Sequence, residues 1–157
     1  MRTENQEPQP KKVMSLNTAF RILLGAFLVF AGTTHLTVSR QEFLAQAPPW
    51  LQLDGDLVVI LSGIAEIALG LSVLFLSKQR ALVGMAAAVF FVLIFPGNIS
   101  QYVNRIDAFG LNSDQSRFMR LFFQPVLVIW ALWSTGAWHK LRETKFNLKA
   151  FLTTASG

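Results

Sequence analysis

A chain of 157 residues with 52% hydrophobic content, only 15% charge and a mean hydropathy of +0.43 fits one domain, and one too apolar for an ordinary soluble protein. The pI near 10.1 comes from basic residues in short blocks beside apolar runs, the arrangement of a membrane protein, so nucleic acid is not an expected partner. With no cysteine, disulfides, CxxC redox pairs, iron–sulfur clusters and covalently attached CxxCH haem are excluded.

Residues 1–16 are polar, contain Pro8 and Pro10, and read as a disordered leader. Four apolar runs follow, at about 18–38, 57–77, 81–101 and 118–138. Each approaches the roughly 20 residues that cross a bilayer as a helix, and none alternates as a strand would. The expected architecture is therefore an all-α membrane protein, a four-transmembrane-helix bundle over residues 17–139. A cleaved signal peptide is the competing reading of the first run, with Lys11 and Lys12 before it, but the cleavage signal after Phe30 is poor.

The connection from Ser39 to Asp56 carries Phe43, Leu44, Pro48, Pro49 and Trp50, a mixture suited to the interface over the bundle mouth, with Trp50 as anchor. Ser77–Arg80 is short enough only for a tight turn, which makes the second and third runs antiparallel neighbours. Residues 140–157 form a basic tail, with a short interfacial helix expected around Leu141 to Phe151. Basic residues gather in the leader with Arg21, in the short turn (Lys78, Arg80) and in the tail (Lys140, Arg142, Lys145, Lys149). Fewer lie on the opposite side (Arg40, Arg105, Arg117, Arg120), so both termini are expected in the cytoplasm.

Glu66 stands alone in the middle of the second run. A charge there costs about 2.5–3.5 kcal/mol on insertion scales, so it persists where it is paired, protonated or functional. At about 1.5 Å per residue it lies roughly 14 Å below the outer face. His35 falls within a turn of the outer end of the first run, Asn98 about a turn below that of the third, and Arg120 and Gln124 in the first two turns of the fourth. These five residues form a candidate ligand-binding set in the outer half of the bundle.

Duller readings stand beside this one: a structural Glu66–Arg120 pair, Arg120 snorkelling to the interface, and Asn98 as a helix-end cap. Ser62, Glu66 and Gly70 share a face, and Gly70 invites close approach, as do Gly84 and Ala88. Pro96 is expected to free backbone carbonyls near Val92 and Leu93, and Pro125 to act similarly. His35 and His139 lie at opposite ends, which excludes a shared haem, and one His with one Glu is too few ligands for a metal site.

An ordered set of motifs is similar to the DoxX-like membrane protein family. It comprises Gly32-Thr33-Thr34-His35, Pro49-Trp50, Ser62-Gly63-Ile64-Ala65-Glu66 through Gly70, Phe95-Pro96-Gly97-Asn98 and Arg120 through Gln124-Pro125. The fourth motif often reads Pro-Ala-Asn in such proteins, and Gly97 departs from it. The resemblance implies a four-helix protein, mostly of bacterial cytoplasmic membranes. Some relatives are linked to quinone-coupled or thiol-related oxidoreductases, and a vertebrate branch assists receptor assembly. The absence of cysteine weakens a thiol role.

Two functions follow as expectations. One is a quinone- or small-molecule-binding subunit of a membrane oxidoreductase system, in which Glu66 exchanges a proton while Asn98 and Gln124 hydrogen-bond a carbonyl. The other is a non-enzymatic assembly partner or chaperone for another membrane protein. A homo-oligomer is compatible with either.

Overall fold

The structure, a computed structural model, describes residues 14–44 and 54–144. The Trp50 anchor, most of the leader and the tail beyond residue 144 lie outside the described residues. Those described are helical and connecting, with no strand among them.

Ser15 accepts a hydrogen bond from the Thr18 amide and starts α1, Leu16–Leu36. A short helix, α2 (Arg40–Leu44), follows. Asp54 caps α3, Gly55–Phe75, by accepting from the Asp56 amide. A single 3-10 turn, Ser77–Gln79, leads into α4, Arg80–Val103. Ser113 and Ser116 close a reciprocal capping box at the head of α5, Asp114–Ser134. That box starts the helix about a turn earlier than hydropathy alone suggests, because polar residues with good caps are helical without being apolar. Gly136, at φ +76°, ends α5. The chain then turns by 79° into α6, Ala137–Thr144; the interfacial helix expected around Leu141 to Phe151 lies mostly outside the described residues.

Three helices are long and apolar enough to cross a membrane: α1, α3 and α4 with its preceding turn. A fourth span exists if α5 and α6 count as one broken crossing. The expected continuous span at 118–138 is thus corrected to a helix that stops at Ser134 and bends. The outward faces carry large apolar side chains, among them Phe30, Phe75, Leu93 and Ile129, each more than half exposed and suited to hydrocarbon.

The helices associate as two pairs. α1 packs chiefly on α3, and α4 chiefly on α5; α3 and α4, neighbours in sequence, touch less. Glycines explain the first pair. A Cβ on Gly25 would lie 3.0 Å from the Gly70 carbonyl oxygen, and one on Gly32 would lie 2.5 Å from that of Gly63. Both helices repeat glycine every seven residues, and the antiparallel register aligns the repeats so that backbone meets backbone. In the second pair Gly84 accommodates Thr135. Leu24, Leu28, Ala87, Phe91, Leu127 and Ala131 fill the core between the pairs.

Candidate functional site

Above that core the pairs diverge around a cavity of about 1220 Å³. All five residues singled out from sequence line it: His35 on α1, Glu66 on α3, Asn98 on α4, Arg120 and Gln124 on α5. The remaining wall is mostly apolar, including Phe27, Phe90, Phe91, Ile94, Phe123 and Leu127.

The pairings inside differ from expectation. Glu66 does not pair with Arg120. Its Oε2 lies 3.1 Å from His35 Nδ1, with both side chains 7% exposed. Sequence counting put the acid well below the histidine; the structure sets them level. α3 begins about a turn beyond the end of α1, beneath α2, and the Gly32–Gly63 contact fixes that offset. Although the two atoms are close, the ring N–H is not aligned on the carboxylate, and neither atom has another hydrogen-bond partner. Two buried polar atoms without a satisfied hydrogen bond are expensive, by about 1–3 kcal/mol each, unless a third group completes the site.

On the opposite wall, Asn98 Nδ2 donates to Gln124 Oε1 at 2.9 Å, and Gln124 Nε2 donates to the Phe91 carbonyl at 2.6 Å. Pro96 sits inside α4 and was expected to loosen the backbone at Val92 and Leu93; the carbonyl that Gln124 takes is one residue earlier. Pro125 lies exposed on α5 and contributes nothing to this wall.

Arg120 stands apart from the acid. Its guanidinium lies over the Phe109 ring, 4.6 Å from the centroid, with the Glu42 carboxylate as the nearby opposite charge. Phe109 meets Phe43 edge-on at 4.5 Å, and Phe43 in turn meets the His35 ring edge-on. This row of rings separates Arg120 from His35 and roofs the cavity. α2 is tied down at two points: Glu42, at its middle, accepts from the Phe109 amide, and Arg40, at its start, forms a two-pronged pair with Asp56. That pair holds the Arg40 guanidinium above its ordinary range.

Arg117 was counted from sequence only as a loop charge. It is buried, and it bonds Asp107, Asp114 and the Ile106 carbonyl, so that it organises the connection between α4 and α5. Gln101, 1% exposed, supports the same loop through the Ile106 and Ala108 carbonyls. The nearby Asp107 and Asp114 were the available signal. His139 lies exposed on α6, away from the cavity.

Chemically, the cavity offers an apolar chamber with a carboxyl–imidazole pair on one wall and an amide pair on the other. No group of three or more His, Cys, Asp or Glu side chains suited to a metal occurs among the described residues. No curated protein and no solved structure matches the chain at a significant level. Residues 24–135, from the first core leucine to the last residue before the Gly136 turn, match a family described as a domain of unknown function (DUF8561), and the chain belongs to that family.

Proposed function

We propose that this is a multi-pass protein of the DoxX-like kind that holds a lipophilic small molecule of the quinone–quinol class in the outer half of the bundle. It serves there as the binding and proton-exchanging subunit of a membrane oxidoreductase system. The observation that carries the reading is the His35–Glu66 pair: both groups are buried, mutually close, unsatisfied in hydrogen bonding, and on the wall of an apolar cavity. A ligand with a polar head and an apolar body completes their hydrogen bonds while its body fills the chamber. Carboxyl and imidazole together can take up or release the proton that accompanies quinone–quinol chemistry. The distribution of Lys and Arg supports cytoplasmic termini, which opens the cavity end toward the outer face of a bacterial cytoplasmic membrane.

The test is titration of the purified protein in lipid nanodiscs with a short-tailed quinone and its quinol, comparing wild type with Glu66→Gln. Binding by wild type that falls about tenfold or more in the variant supports the reading, since that corresponds to about 1.4 kcal/mol. Absence of binding, or equal binding by both proteins, rejects it in favour of an assembly role.

A further inference from the structure

The amide pair on the α4/α5 wall has a direction, and that direction selects a ligand. A backbone carbonyl only accepts, so Gln124 must present Nε2 to the Phe91 oxygen, as it does at 2.6 Å. Its Oε1 is then turned toward Asn98 and can only accept, so Asn98 must present Nδ2 there, at 2.9 Å. The one group of Asn98 left over is Oδ1, an acceptor. No donor among the described residues reaches it, and Asn98 lines the cavity.

Across the chamber, Glu66 Oε2 and His35 Nδ1 are buried and without a hydrogen-bond partner. Ser62 also lines the cavity, with a hydroxyl that donates or accepts equally well. Arg120, which only donates, is drawn aside over Phe109 and toward Glu42. The α4/α5 wall therefore presents an acceptor, Asn98 Oδ1, and the facing wall presents the Glu66 carboxyl beside the His35 imidazole.

We infer that the cavity takes its ligand as a hydrogen-bond donor: a hydroxyl-bearing head on an apolar body, and so the quinol rather than the quinone. One hydroxyl donates to Asn98 Oδ1 and another to the Glu66 carboxylate. A carbonyl head can accept from the His35 imidazole but brings no donor for Asn98 Oδ1 or for the Glu66 carboxylate. The inference rests on the cavity being a ligand site, as proposed above, and adds the chemical form that enters it.

Three probes of one shape separate the possibilities: a short-tailed quinol kept reduced with dithionite, the corresponding quinone, and the quinol dimethyl ether, which has no donor. The absence of cysteine lets the reductant act without altering the chain. With wild-type protein in nanodiscs, the quinol is expected to bind at least about tenfold more tightly than either of the others. Asn98→Ala is expected to narrow that preference by weakening the quinol while leaving the quinone unchanged. Should this variant fail to fold, the comparison of three probes on wild type still decides. Equal affinity for quinol and quinone overturns this inference and leaves the site reading intact. No binding of any probe overturns the site reading, and this inference with it.

Discussion

A Cβ added to Gly63 would lie 2.9 Å from the Cβ of His35. The reciprocal holds across the seam, where a Cβ on Gly32 would lie 2.9 Å from the Cβ of Glu66. Each site residue is thus seated against the glycine three positions before its partner. The close approach of α1 and α3 and the meeting of acid with imidazole are one geometric fact. A bulkier seam would move the helices apart and carry the two groups out of reach.

The first prediction concerns that seam. Gly32→Ala is expected to lower stability by about 1–3 kcal/mol, because the added methyl meets the Gly63 backbone carbonyl, which cannot swing aside. Gly63→Ala should cost somewhat less, since its nearest atoms lie at 2.9 and 3.0 Å. Denaturant unfolding in mild detergent measures both. An unchanged midpoint for Gly32→Ala would show that the helices are not locked by this contact.

The amide pair carries a second prediction. Gln124→Leu keeps the volume but strands Asn98 Nδ2 and deprives the Phe91 carbonyl of the donor it has across the helix pair. A loss of about 1–3 kcal/mol is expected from the stranded group. The same unfolding assay reads it, and a neutral result would mean that the pair is not formed.

Arg117 is expected to control the order of the 104–113 connection rather than the bundle. Its side chain is 6% exposed, while Asp107 and Asp114 are 65% and 57% exposed and can turn to water when it is removed. Arg117→Met should therefore leave the helices protected while amide hydrogen exchange in 104–113 accelerates roughly tenfold or more, as expected for loss of charge-assisted hydrogen bonds worth about 1.5–3 kcal/mol. Unaltered exchange there would remove Arg117 from that role.

Topology is directly testable because the chain has no cysteine. Arg105→Cys, at a side chain 77% exposed, is expected to react with a membrane-impermeant maleimide applied to intact cells. Lys78→Cys, in the exposed α3–α4 turn, should react only after permeabilisation. The opposite pattern would reverse the orientation drawn from the basic residues.

Much of the site could be read in advance. Hydropathy marks the apolar runs, and the cost of an intramembrane charge singles out Glu66. Helical rise places His35, Asn98, Arg120 and Gln124 toward the same end. All of this is local to one helix, where 1.5 Å of rise and 100° of turn per residue leave little freedom. The partners were harder. A carboxylate and a guanidinium suggest a pair by charge alone, yet Arg120 is held over Phe109 and Glu66 beside His35. Arg117 looked like one more loop charge because its burial depends on how residues 104–113 fold back onto the start of α5.

The amino-acid sequence by itself determined that the chain forms apolar helices and that its few polar side chains lie near one end of them, because both follow from periodicity and transfer energy along a single segment. Only the tertiary structure decided which helix lies against which, and at what height. Those offsets arise where Gly25 meets Gly70 and Gly32 meets Gly63, and they are a property of two backbones in contact. No single segment contains that information, so the pairing of His35 with Glu66 and the direction of the Asn98–Gln124–Phe91 chain emerge only when the two helix pairs assemble.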